Sequence, residues 1–351
     1  MNLKTEINPL ISIIILNYNS GNLVKDCVAS ILASNYKNYE IIVVDNKSRD
    51  DSQNICKKQF PQIKLIQNNE NMGFCEGNNV GIRLTKGKFV VLLNPDTKVD
   101  KKLFEEFLLE YNKKGEGLFQ PKLLSMDEPT KINSAGNMIH IFGFGFSRGK
   151  GIVDTNQYDK YREINYPSGA CLFTSKKIFE DIGIMDSFLW AYHDDLELGW
   201  RAAKFGFNSF FVPNAIVYHK ESSNFKWSKK KFFLLERNRL YCLLTQYSKK
   251  TFRRLLPYLI LVEIIVFFYY IKKGLFFEKI QGYKEIIKNL KKISEKQKEL
   301  ECLRKIEDGQ IVPNFQTEIF VPQEVGSSRE NSLFNKIIGG LARRAKNSII
   351  K

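Results

Sequence analysis

Short apolar runs alternate with helically spaced stretches through the first part of the chain. Residues 11–16 form one such run, which ends at Asn17-Tyr18-Asn19-Ser20-Gly21. Residues 22–33 then carry helical spacing. A second run, 40–44, closes at Asp45-Asn46, and a helix is predicted over 50–60. Residues 63–66 form a third run, a helix is predicted over 77–86, and a fourth run at 88–93 ends at Asn94-Pro95-Asp96. Apolar strands separated by helices predict a parallel sheet covered on both faces. Ligands of such sheets lie beyond the carboxyl ends of the strands. Chain order alone therefore places Asn17, Asp45 and Asp96 in one crevice.

Regularity falls over residues 115–166, where Gly143-Phe144-Gly145-Phe146 and Gly149-Lys150-Gly151 suggest loops. Strands are expected again at 170–174, 209–212 and 215–218. Between them His193-Asp194-Asp195-Leu196-Glu197-Leu198-Gly199-Trp200-Arg201 opens a helix. Leu196, Trp200 and Ala203 share one face, and Glu197 precedes Arg201 by one turn, the favourable order for a pair. Asp194 is expected as the N-cap and Asp195 as an acid favoured by the helix dipole. Read alone, the segment is a capped helix.

Composition changes after residue 226. Ten Lys or Arg and one acid, Glu236, occupy 226–254, and residues 255–271 are then apolar except for Pro257 and Glu263. Seventeen residues is the short limit for a bilayer span, and a central glutamate is costly in one. Basic residues at both ends suit anionic head groups. A helix lying in or dipping into the membrane is expected, with a single span left open. A charged amphipathic helix is expected over 272–307. The tail beyond 308 reads as loosely ordered, with a basic amphipathic helix as the alternative over 333–350. The boundaries expected are 1–225, 226–307 and 308–351.

A formal net charge of +16 over 351 residues points to an acidic partner. Because the charge flanks an apolar run, it favours a membrane over nucleic acid. The six cysteines are scattered, as expected of single buried thiols in a reducing compartment. Residues 1–9 are polar and carry no apolar signal core, so a cytoplasmic location is expected.

Two acids carry candidate chemistry beyond that helix. Asp45 closes a strand, where a carboxylate accepts hydrogen bonds from a nucleoside or simply caps a turn. No Gly-x-Gly-x-x-Gly follows the first strand, and there is no Gly-x-x-x-x-Gly-Lys-Ser/Thr loop, so a diphosphate must be neutralised otherwise. Asp96 offers a site for Mg²⁺ or Mn²⁺, unless Asn94-Pro95-Asp96-Thr97 is only a turn.

Leu92-Leu93-Asn94-Pro95-Asp96-Thr97 resembles the metal-site segment of family 2 glycosyltransferases, in their rhamnosyltransferase-like branch. Asn71-Met72-Gly73-Phe74 with Gly77-Asn78-Asn79-Val80-Gly81-Ile82, Val43-Val44-Asp45-Asn46 and Tyr18-Asn19 match the same branch. Ser168-Gly169-Ala170 resembles its acceptor-side segment, and His193 to Arg201 its catalytic acidic motif. Pro213-Asn214-Ala215 with Tyr218-His219 and Glu236-Arg237-Asn238 follow in the family's order. Each motif is weak alone; together, over residues 9–248, they are specific.

The resemblance implies a GT-A fold: a mostly parallel central sheet with helices on both faces, here followed by a helical membrane-associating extension. It implies inverting transfer from a nucleotide-diphosphate sugar, dTDP-rhamnose or a UDP-hexose, to a lipid-linked glycan or cell-surface polysaccharide. That is work of cell-wall assembly, at the cytoplasmic face of the cell membrane. Donor contacts would be Asn17, Tyr18, Asn19, Asp45, Asn46, Gly73, Asn78, Asn94 and Asp96. Acceptor contacts would be Ser168, Gly169, Ala170, Trp190 and His193. Asp96 and His219 would hold Mg²⁺ or Mn²⁺, and Asp195 would be the general base, with Asp194 second. The family's metal motif is often Asp-x-Asp; Asn94 replaces its first acid and removes one ligand. The alternatives are a nucleotidyltransferase, which would want a glycine-rich basic phosphate loop, and a non-catalytic nucleotide-sugar binder, which would not need Asp96, Asp195 and His219 together.

Overall fold

The computed structural model describes residues 8–160, 163–221, 228–318 and 328–350. Most of the polar 1–9 stretch, residues 1–7, and the expected 225/226 boundary lie outside the described residues. The chain divides into two compact units. The first comprises 1–137, 147–202 and 207–222, the second 138–146, 203–206 and 223–351.

In the first unit, β1 (Ile11–Asn17), α1 (Leu23–Leu32), β2 (Tyr39–Asp45), α2 (Ser52–Gln59), β3 (Lys64–Gln67), α3 (Gly73–Arg83) and β4 (Phe89–Leu93) follow the expected alternation. β5 (Thr97–Val99), α4 (Leu103–Lys114), β6 (Gly117–Ser125) and β7 (Ile132–Ser134) come next. β8 (Asn137–Ile139) and β9 (Gly145–Ser147), most of whose residues belong to the second unit, form a separate two-stranded ribbon where loops were expected. β10 (Glu163–Ile164), β11 (Cys171–Ser175), α5 (Lys176–Ile182), α6 (Asp194–Lys204) and β12 (Asn208–His219) complete this part.

The large sheet runs β10-β12-β6-β11-β4-β1-β2-β3, with β5 on β12 and β7 on β6. Pairing is parallel across β3, β2, β1 and β4. β11 then enters antiparallel to both β4 and β6, which makes the sheet mixed. β12 returns parallel to β6, and the two strands expected at 209–212 and 215–218 are one. Its register shifts between Val212 and Ile216, at Pro213, whose missing N–H suits a bulge. This order puts the ends of β1, β2, β4 and β12 and the start of β11 on one rim.

Ile11, Ile13, Ile15, Ile41, Val43, Val91 and Leu93 lie in one core with α1 and α4. Phe173 of β11 stacks on Phe89 and Phe107, at centroid distances of 5.1 and 4.8 Å. On the other face, α3 presents Gly77 and Gly81. A Cβ at either would meet Leu16 or Ile14 of β1 at 2.5 Å, so these two glycines let the helix seat directly on the strand.

The second unit holds α7 (Lys229–Gln246), α8 (Lys249–Lys272), α9 (Phe276–Lys288), α10 (Leu290–Cys302), α11 (Asp308–Ile311) and α12 (Ser328–Ile350). Two expectations are corrected here. The helix expected over 272–307 breaks into α9 and α10, with Gly274 at φ 69° opening the turn before α9. Of the two readings of the tail, the structure has the helical one in place of the loose one: α12 buries Ile338, Ala342, Ala345 and Ile349, a helical spacing along one face. Cys302 is exposed, unlike the other five cysteines. Glu263, costly in a lipid-facing helix, turns inward in α8: Arg239 and Lys279 both donate to it, and Tyr283 donates to it at 2.7 Å.

Candidate active site

At the rim, Asn17 is fully buried and donates to Asp45 Oδ1 (2.8 Å) and Ser52 Oγ (2.9 Å). Asp45 also accepts from the Ser48 hydroxyl (2.6 Å) and amide (3.0 Å), and is 1% exposed. The expected nucleoside acid thus sits behind its own turn, and Tyr18, 36% exposed, is the open side chain of the group. Asn19, at φ 49°, accepts from the Arg49 amide at 2.7 Å and so ties the loop after β1 to the loop after β2. Asn46 extends the same wall, donating to the Gly73 carbonyl at 2.9 Å.

Gly73 opens α3 at φ 79°, and a Cβ there would lie 2.6 Å from the Trp190 carbonyl and ring. That carbonyl accepts the Phe74 amide at 2.6 Å and the Cys75 amide at 3.2 Å. Asn78, expected on the donor side, donates to Phe74 of its own helix and is buried. Its neighbour Asn79 instead clamps the Met185 backbone from both sides, at 2.9 and 3.0 Å. Sequence reasoning missed Asn79; only the doubled asparagine marked it.

The segment 190–195 is strained. Trp190, Tyr192 and His193 take φ of 61°, 67° and 59°, a region costly for side-chain-bearing residues. The cap of α6 differs from expectation: the His193 carbonyl accepts the Glu197 amide at 2.8 Å, so His193 occupies the capping position and Asp194 is the first helical residue. Arg201 does not offset the acid pair. It grips Glu197 through two bonds of 2.8 and 3.0 Å, and donates to the carbonyls of Ile182, Gly183 and Ile184.

Asp195 is half-buried and accepts the Gly169 amide at 3.0 Å and the Leu196 amide at 2.8 Å. Burial pushes its carboxyl up to about 6 against the pull of those amides. Asp194 is buried and raised well above the usual carboxylate range, first by burial and then by the charge of Asp195. The 168–170 segment also reaches the metal-type motif, since the Ala170 carbonyl accepts the Asn94 amide at 3.0 Å. Phe74 lies beside Gly169, 3.3 Å from where a Cβ would stand. Ser168, Gly169, Ala170, Asp194, Asp195, Asn94 and the start of α3 are therefore one neighbourhood.

β5 pairs with β12 so that His219 faces Thr97, and this sets His219 Nε2 3.4 Å from Asp96 Oδ1. Asn133, which nothing in the motif pattern marked, orients the ring. Its Nδ2 donates to Glu221 at 2.6 Å, which turns its Oδ1 to His219 Nδ1 at 3.1 Å. With the amide assigned by those bonds, Nδ1 of a neutral imidazole carries the proton, and Nε2 offers a lone pair toward Asp96. A carboxylate and an imidazole lone pair facing one another fit a divalent cation. Among the described residues no group of three or more His, Cys, Asp or Glu is placed to hold a metal. Further ligands would come from water and from substrate oxygens, as is usual where diphosphates bind.

Residues 12–183 match the model of Glycosyl transferase family 2. Over those residues the chain is similar to the family 2 glycosyltransferases. Low-salt glycan biosynthesis hexosyltransferase Agl10 of Haloferax volcanii is 25% identical over 212 residues, 56% of this chain and 63% of that protein. UDP-Glc:alpha-D-GlcNAc-diphosphoundecaprenol beta-1,3-glucosyltransferase WfaP of Escherichia coli is 36% identical over 88 residues, 25% of this chain and 35% of that protein. The match thus spans less than two thirds of either relative. A solved structure of GalNAc-T7 with UDP, GalNAc and Mn²⁺ superposes with a TM-score of 0.58 at 15% identity, over 72% of this chain and 51% of that one. The fold is GT-A, and the helical extension follows the matched residues along the chain.

Proposed function

We propose that the chain is an inverting hexosyltransferase that moves a sugar from a nucleotide-diphosphate donor to a hydroxyl of a glycan acceptor. One observation carries this reading: Ser168-Gly169-Ala170 joins two chemical groups, bonding to Asp195 through the Gly169 amide and to the Asn94-Pro95-Asp96 turn through the Ala170 carbonyl. A base and a diphosphate-facing turn on one short segment is what single displacement requires. Asp195 takes the proton of the acceptor hydroxyl as that oxygen attacks the anomeric carbon from the face opposite the departing diphosphate. A carboxyl raised to about 6 is ionised at neutral pH and more basic than an ordinary aspartate.

Asp96 and His219 would hold the divalent cation, and the nitrogen donor favours Mn²⁺ over Mg²⁺. When bound, the cation neutralises the leaving diphosphate. Tyr18 and Asn19 meet the nucleoside, with Asn17, Asp45 and Asn46 as the wall behind them. Trp190 and His193 line the acceptor side. WfaP is named for a diphosphoundecaprenol-linked acceptor. By that analogy, and from the basic and apolar extension, the acceptor is a lipid-linked glycan or growing polysaccharide at the cytoplasmic face of the membrane. Within the family we place the chain in the rhamnosyltransferase-like branch, with dTDP-rhamnose or a UDP-hexose as donor.

The test is a panel of nucleotide sugars incubated with and without Mn²⁺, with the anomeric configuration of the product read by NMR. Transfer with inversion, lost on chelation and restored by Mn²⁺, is expected. Retention of configuration, or no donor binding or turnover under any condition, overturns the reading.

A further inference from the structure

α8 is two-faced. Leu255, Leu259, Val262, Val266 and Tyr270 are buried, whereas Leu256, Ile260, Leu261, Ile264, Phe268 and Ile271 are exposed. The exposed set spans about 22 Å of helix at 1.5 Å per residue. It continues beyond the helix through ring contacts, Phe268 to Phe267, Phe267 to Phe276 and Phe276 to Phe277, at 6.0, 5.9 and 5.5 Å. Phe268 and Phe277 are 64% and 75% exposed. Cations close both ends: Lys249, Lys250 and Arg253 before the strip, and Lys272 and Lys273 after it, are all exposed. The one acid of α8, Glu263, is turned into the Arg239–Lys279 cluster and leaves the strip free of negative charge.

We infer that this strip is a monotopic docking face for an anionic lipid bilayer, with α8 lying in the plane of the membrane. The inference rests on the location proposed above and not on the chemistry. Charge complementarity selects lipid over a second copy of the chain, because a self-paired α8 would set cations against cations in either direction. It also excludes a span. To cross the bilayer, α8 would have to leave the unit, carry Glu263 into hydrocarbon and strand Arg239 and Lys279 beside one remaining acid. In the plane, the exposed aromatics enter the acyl boundary while the cations meet head groups and the ion cluster stays intact.

The experiment uses the full chain with phosphatidylcholine vesicles, with and without phosphatidylglycerol. Flotation with the anionic vesicles alone is expected. Phe268→Glu with Phe277→Glu should cut that binding about tenfold or more while the melting temperature and donor turnover on a soluble acceptor stay unchanged. In a Cys302→Ser background, Lys250→Cys and Lys273→Cys should both react with an impermeant maleimide added outside the vesicles. Protection of either cysteine means a span and overturns the inference. So does equal binding to neutral vesicles, absence of binding to both, or a concentration-dependent dimer that the two glutamates disperse. Loss of turnover with vesicle binding intact would instead strike only at the proposed chemistry.

Discussion

The molecule buries two groups of acids and treats them in opposite ways. Asp194 and Asp195 stand side by side on α6 with backbone amides as partners, and burial raises both. Glu236 and Glu263 are met by Arg239 and Lys279, and those cations hold the Glu236 carboxyl down at about 2. The nearest cation on α6, Arg201, is spent on Glu197 and three carbonyls. A carboxylate with its own counterion is locked into its charge and serves architecture. One held by amides keeps its charge near the edge of titration, where a proton can be taken and returned.

The largest test of that contrast is Asp195→Asn. Removing the proposed base should lower kcat on the order of a thousandfold while donor affinity, measured by calorimetry, holds. If donor binding falls equally, the residue is structural and the contrast fails. Arg239→Met is the counterpart: it leaves two buried acids with one cation and should cost about 3–5 kcal/mol in denaturant unfolding. Next comes Asn133→Ala, which frees the His219 ring and should weaken Mn²⁺ binding about tenfold, read directly by manganese titration. The smallest effect is in the pH dependence of stability. Raised folded-state carboxyls favour the folded chain at low pH: the contribution of Asp195 is lost as pH rises through about 6, and Asp194, raised well above the usual carboxylate range, acts in the same sense. Glu236 works in the other sense: its contribution is present above the ordinary glutamate range and lost as pH falls toward 2. Asp194→Asn with Asp195→Asn should therefore flatten the melting-temperature profile near pH 6 and leave its acid limb in place.

β1, β2 and β4 were legible because a strand buried on both faces must be apolar along its length, and chain order then puts Asn17, Asp45 and Asp96 at their carboxyl ends. Strand direction was not, since an apolar run such as Cys171–Ser175 reads the same either way, and β11 turned out antiparallel. The motif around Gly77 and Gly81 was visible, but its meaning changed: two glycines seat α3 on β1, and Asn79 rather than Asn78 reaches out of the helix. Asn133 had no local signal at all, because its role arises only when β12 brings His219 beside it, 86 positions along the chain. Glu263 was recognised as an anomaly in an apolar helix. Its partners, 24 positions before and 16 after, needed the packed helices to be seen.

The Trp190 carbonyl has one more consequence, for the electrical ledger of the crevice. A glycine opening a helix at the rim of a sheet commonly leaves free amides for a phosphate. Here Gly73 has spent its amide on Asn71, and Phe74 and Cys75 have spent theirs on Trp190. The positive pole of α3 is already plugged from within. For the proposed donor, two negative phosphates would find no relief at that pole, and the demand for a cation at Asp96 and His219 becomes correspondingly harder to evade.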